Sequence, residues 1–168
     1  LSTLTGFNHY LPADLLPGAR SVVCFFLPFS PNIVYANQAH EDLVAREWAV
    51  AYQETNQLIG QVTSRLIDEL GFVGIHAAAE PATGNFEEVV LKSRWSHKSI
   101  AVMSGIGSFG LHQLVITDAG CAGRIGDFAV TQFTPIVISS VVASVVTRYA
   151  IGNHPAFPVP DYEIVSPF

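Results

Sequence analysis

Three short segments hold side chains whose types and spacing could do chemistry. Trp95-Ser96-His97 sets a hydroxyl and an imidazole beside a large aromatic ring. An imidazole titrates near neutrality, so His97 is a candidate acid. Equally, Ser96 could cap a helix and leave His97 in its first turn. Gly120-Cys-Ala-Gly-Arg124 places a thiol between glycines with a cation next to it, and a nearby cation favours the reactive thiolate. Gly105-Ile-Gly107-Ser-Phe-Gly110 spells GxGxxG. A dinucleotide loop needs a helix to open on that motif. LHQLVIT follows instead, β-branched and meeting a turn at Asp118 within eight residues. No acid ending a second strand stands about 20 residues further on. Two readings remain, a glycine-rich turn from helix to strand and a loop against which a cofactor lies closely.

The elements that must position these groups can be read in outline. RSVVCFFL at 20–27 is a continuous β-branched and aromatic run, the pattern of a strand buried on both faces at the centre of an α/β sheet. Pro28 and Pro31 end it. A helix is expected over 41–70. Val44, Trp48, Ala51, Tyr52, Leu58, Ile59, Val62, Leu66, Ile67 and Leu70 make one stripe at spacings of three and four, with Gly71 as the stop and a break placed near Thr55-Asn56. Residues 72–79 read as a short strand, 80–86 as a loop, and 96–104 as a short helix. Residues 112–117 and 125–131 read as two strands with Asp118-Ala119-Gly120 turning between them. Residues 1–19 read as an irregular lead-in. Residues 135–149 fit either a strand or a closely packed helix, and a proline-rich tail follows from 151 to 168.

Bulk properties narrow the class. The chain has 168 residues, enough for one domain, 1–150, whose core needs no staples. Hydrophobic residues make up 49% and charged residues 13%, and the mean hydropathy is +0.37. Surplus apolar surface of that kind calls for a homodimer interface, a partner domain or a large apolar ligand. The net charge is −6 with 8 Lys+Arg, which argues against broad nucleic-acid binding and favours a small-molecule substrate. Two cysteines, Cys24 and Cys121, cannot supply the four ligands of an iron–sulfur cluster, and neither CxxC nor HExxH is present. Cys24 lies in an apolar run and reads as a buried small hydrophobe. No apolar run reaches the ~18 residues of a membrane span. A cytoplasmic protein is the expectation.

ARSVV at 19–23, WAVAYQETN at 48–56 and SHKSIAVMSGIGSFGLHQLVIT followed by GCAGRIG resemble epoxyqueuosine reductases, and more closely their iron–sulfur relatives. The architecture is shared with corrinoid-dependent reductive dehalogenases. The resemblance runs from about residue 15 to 131. It implies an α+β sandwich with a nitroreductase-like sheet flanked by helices, holding cobalamin. It also implies a ferredoxin-like domain or other electron donor, whose iron–sulfur clusters this chain has no cysteines to hold. The reaction implied is reductive removal of oxygen or halogen from a small substrate. Carried over to this sequence, Trp95, Ser96, Gly107, Phe109, Gly110, Gly120, Cys121, Ala122 and Arg124 would line the cofactor. The family's proposed proton donor is an Asp ahead of the helix. Leu91 stands near that place here, so His97 becomes the candidate donor. Two alternatives stand beside this one, a flavin-dependent nitroreductase on the same sandwich and a cofactor-free binding or assembly module.

Overall fold

The computed structural model describes residues 9–40, 42–81, 86–87 and 92–132. The expectations for 133–168, the proline-rich tail included, fall outside these residues. Helices and small antiparallel sheets mix along the chain. The central layer is a three-stranded sheet of β1 (Ser21–Pro28), β7 (Gly123–Val130) and β2 (Ala77–Ala78), in the order β1-β7-β2. β1 and β7 pair antiparallel over their full length, from Ser21 opposite Val130 to Pro28 opposite Gly123. β1 is thus the apolar strand expected from 20–27, but among the described residues β7 holds the centre.

Side chains alternate across a strand, so this sheet has two distinct faces. Val23, Phe25, Phe128 and Val130 point to one face and pack on Val62, Leu66 and Leu70 of α3 (Arg46–Phe72). Cys24 and Ile125 point to the other, against Ala101 of α4 (His97–Met103) and Val115 of β6 (Val115–Thr117). Both faces of β1 are therefore covered, which is why its sequence shows no polar alternation.

α3 starts five residues later than its acidic lead-in suggested and runs unbroken through Thr55-Asn56. Thr55 is fully buried and sits on the same stripe as Ala51, Val62, Leu66 and Leu70, so a polar residue type hides a core position. The helix passes Gly71 and is released at Gly74, whose φ of +77° suits glycine alone at no cost. The Ile75 amide then returns to the Leu70 carbonyl at 2.9 Å. This turn uses up residues 72–76, so the strand expected over 72–79 shortens to β2.

Two helices went unread. α1 (Pro12–Leu15) lies in the expected irregular lead-in, with the Asp14 carboxylate accepting from the Leu11 amide at 2.7 Å. α2 (Pro31–Gln38) follows β1 directly. In both, proline occupies the first helical turn, where its missing N–H costs nothing. Pro31, read as an end of the strand, also starts α2, and Pro12, read as a breaker, starts α1. Two short pairs are also formed among the described residues, β3 (Phe86–Glu87) with β4 (Lys92–Ser93), and β5 (Gly107–Phe109) with β6.

The GxGxxG segment is a helix stop and a hairpin. Gly105 takes φ +81° just after α4, and Gly107 opens β5. A β-carbon on Gly107 would lie 2.2 Å from the Ile116 carbonyl oxygen. The glycine is needed because β6 crosses there. No helix of the dinucleotide type opens on the motif. No helix among the described residues is long and apolar enough to cross a membrane.

Candidate functional site

A cavity of about 520 Å³ opens where the central sheet begins, at Gly123 of β7. Here side chains from both faces of the sheet reach one space. Tyr52 and Arg124 come from the α3 side, while Trp95, His97, Val115 and Ile125 come from the α4 side.

The most ordered part of the wall is a buried polar network. Asp127 stands opposite Cys24 in the strand register, inward-facing and 2% exposed. The Trp95 indole Nε1–H donates to Asp127 Oδ1 at 2.8 Å. His97 Nδ1 lies 2.8 Å from Asp127 Oδ2. A carboxylate only accepts, so Nδ1 carries the hydrogen and the ring's other nitrogen, Nε2, is left for other work. Nε2 is buried and meets no hydrogen-bonding partner among the described residues. A buried polar atom without a partner costs about 1–3 kcal/mol; of the four such side-chain atoms among the described residues, only His97 Nε2 belongs to a residue that lines this cavity.

Local structure explains why these groups converge. Ser96 caps α4, its Oγ accepting from the Ser99 amide at 3.3 Å. That fixes His97 as the first residue of the helix. The helix rests on β7 through Ala101, so its first turn falls over Asp127. Both readings of the Trp95-Ser96-His97 segment are therefore realised in part. Ser96 is a cap, but His97 is turned inward on Asp127 rather than left to solvent.

Arg124 is braced from α3. Its Nε donates to Asn56 Oδ1 at 2.7 Å, and its guanidinium carbon stands 4.1 Å from the centroid of the Tyr52 ring. Cys121 is exposed and lines the same cavity. Cys24 is buried. Its thiol is pushed well above the ordinary value of 9.0, first by burial and second by the charge of Asp127 across the strand pair.

Of the residues singled out in the sequence, Trp95, Ser96, His97, Cys121 and Arg124 share this cavity. Gly107, Phe109, Gly110, Gly120 and Ala122 are not in its wall. Gly107 and Phe109 belong to β5. The space a side chain would take at Gly110 is filled by the His112 ring. Gly120 turns the chain with φ +96°, and the Ala122 carbonyl accepts from the Phe29 amide at 2.9 Å. Sequence reasoning missed Asp127, Tyr52 and Asn56. Asp127 carried a signal, since it is the one charged residue in the buried run 126–130 of β7. Tyr52 and Asn56 carried only their i, i+4 spacing on α3, which places them on one face. Among the described residues no three His, Cys, Asp or Glu side chains converge as a metal site would require.

Compared with protein-family models, with curated proteins and with solved structures, the chain finds no match.

Proposed function

We propose that the chain is the corrinoid-binding domain of an epoxyqueuosine-reductase-like reductase, built on a nitroreductase-like sandwich, with His97 as its proton donor. The observation that carries this reading is the Trp95–Asp127–His97 network on the wall of a cavity large enough for a planar ligand.

The residues present fit such a group. Phe26, Tyr52 and Val115 offer apolar surface, Lys98 and Arg124 offer charge for a polar rim, and the buried Nε2 of His97 meets no partner among the described residues. Trp95, Ser96, Cys121 and Arg124 would hold it. The hairpin glycines would not, since Gly107 and Gly110 face their own chain. When bound, a reduced corrinoid supplies the electrons that break a carbon–oxygen or carbon–halogen bond.

The protein's share is the proton and the surroundings. Asp127 holds the imidazole in one orientation and one tautomer, so that a protonated His97 presents Nε2–H. Its carboxylate offsets the positive charge of that ring. Trp95 occupies the second oxygen of Asp127, which stops the carboxylate from rotating away. After donation, the neutral ring keeps its Nδ1–H on Asp127. Electrons would come from a ferredoxin-like domain or another electron donor, because the two cysteines of this sequence cannot hold a cluster.

Anaerobic titration with cob(II)alamin, followed by absorption and electron paramagnetic resonance, tests the reading, with FMN in a parallel cell. Saturable uptake with a base-off cobalt signal is expected. An unchanged free cob(II)alamin spectrum contradicts it. Saturable FMN uptake in its place would move the chain to the flavin nitroreductases, and uptake of neither would leave a binding module.

A further inference from the structure

The cavity differs in charge from the rest of the molecule. The chain carries 14 acidic and 8 basic side chains. Among the described residues no Asp or Glu lines the cavity, whereas Lys98, Arg124, His9 and His97 do. The acid nearest in sequence to Arg124, Asp127, serves Trp95 and His97 instead.

Arg124 is also prepared in a specific way. Its Nε is occupied by Asn56, and one face of the guanidinium lies over Tyr52. Stacking and the Asn56 bond fix the plane of the fork, so little rotamer freedom remains to be lost on binding. No acceptor among the described residues is hydrogen-bonded to its two terminal nitrogens. Their N–H groups form the edge that takes an oxyanion with two parallel bonds. Lys98, next to His97 on α4, adds a second cation to the lining, held by its Nζ donating to the Gln113 carbonyl at 3.0 Å. Among the described residues no acid in the cavity neutralises either cation, which is the condition under which an incoming anion gains most.

We infer that the cavity takes a ligand bearing an oxyanion, a carboxylate or a phosphate, which Arg124 receives while His97 serves the opposite wall. This rests on the reading of the cavity as the ligand site, and it adds the chemical class of what enters. The division follows from the sheet: Arg124 projects from the α3 face, and Asp127 holds His97 on the α4 face. A bound molecule would then have its charged end set by one face and its reacting end by the other.

The test uses three probes with one ring, namely benzoate, phenyl phosphate and benzamide, titrated by calorimetry into the full chain without cofactor. A charged hydrogen bond to a fixed guanidinium corresponds to about a tenfold gain or more. At least one of the two acids is therefore expected to bind about tenfold tighter than the amide, and whichever binds tighter names the source of the oxyanion. Arg124→Gln is expected to bring the acids down to the amide's affinity and leave the amide unchanged. Tyr52→Leu, a milder change at a half-exposed position, is expected to weaken the acids several-fold. Equal binding of all three probes, binding of none, or an acid preference that survives Arg124→Gln overturns the inference. A cob(II)alamin titration of the same preparations separates the two proposals. Acid preference without cobalamin uptake removes the corrinoid reading and leaves this one standing, and uptake without acid preference does the reverse.

Discussion

Asp127→Ala is the substitution that most directly probes the polar network. The carboxylate is completely buried as a side chain, and both oxygens are used, one by the Trp95 indole and one by His97. Truncation removes both acceptors at once. The indole N–H then loses its Asp127 acceptor in a site where Trp95 is 1% exposed. Loss of a buried hydrogen-bond partner costs about 1–3 kcal/mol, and here Trp95 and His97 lose theirs together, so the expected loss is about 2–4 kcal/mol. Against a total stability of roughly 5–15 kcal/mol, that is a large fraction. Urea unfolding should show a lower midpoint with an unchanged slope. Asp127→Asn keeps the shape and can still accept from Trp95, but it presents an N–H to His97 and forces the other tautomer, so it should cost about 1–2 kcal/mol. A double-mutant cycle of Asp127→Ala with Trp95→Phe should give a coupling of about 1–3 kcal/mol. A loss below 1 kcal/mol for Asp127→Ala, or additive single mutants, would refute the reasoning that this network is closed and buried.

Four further outcomes follow from the fold. The two thiols should differ sharply. Cys121 is exposed and should react quickly with a thiol reagent in the native protein, while Cys24 should react only on unfolding, and two fast thiols would contradict its burial. Burial raises the Cys24 value in the folded state, so its contribution to stability is complete below the unfolded value of 9.0 and is lost as pH rises through the folded value. Stability should therefore fall above pH 9.0, and Cys24→Ala should flatten that fall; an unchanged slope would show that other groups cause it. Gly107→Ala puts a methyl 2.2 Å from the Ile116 carbonyl oxygen and should cost about 1–3 kcal/mol by thermal unfolding, whereas an unaffected midpoint would mean that β5 and β6 do not meet there. Leu66→Ala empties a fully buried position between α3 and the sheet and should cost about 2–5 kcal/mol; a loss under 1 kcal/mol would place α3 elsewhere.

Much of the scaffold was legible because period and burial agree. β1 and α3 carry long, regular apolar patterns, and both stand where those patterns placed them, with the ends moved by a few residues. The moved ends have local causes. Gly71 looked like the stop, but a helical glycine passes unnoticed while Gly74, with its positive φ, turns the chain. α1 and α2 were hidden because proline was read only as a breaker. Strand direction was not legible, since burial on both faces is shared by parallel sheets and by an antiparallel pair sandwiched between helices.

The site divides along a similar line. Trp95, Ser96, His97, Cys121 and Arg124 were found from residue type and close spacing, and the structure brings them to one cavity. The glycines at 107 and 110 were assigned to a ligand because glycine signals close approach. The approaching atoms are the protein's own, Ile116 and the His112 ring. Asp127 was missed because its role depends on a contact 30 residues away, which periodicity does not encode. An isolated acid in a buried apolar strand is nonetheless a costly feature that needs a partner, and following that cost would have led to His97.

The measurement that bears most directly on His97 as a proton donor facing the ligand cavity is long-range proton–nitrogen correlation of the histidine rings, before and after anaerobic addition of cob(II)alamin, with His97→Gln to assign the signals. The expected result is a His97 ring whose hydrogen stays on Nδ1 across the neutral form, and whose Nε2 signal alone broadens as the paramagnetic corrinoid is taken up. A neutral ring with its hydrogen on Nε2, or an Nε2 signal that remains sharp while cob(II)alamin binds, would contradict it.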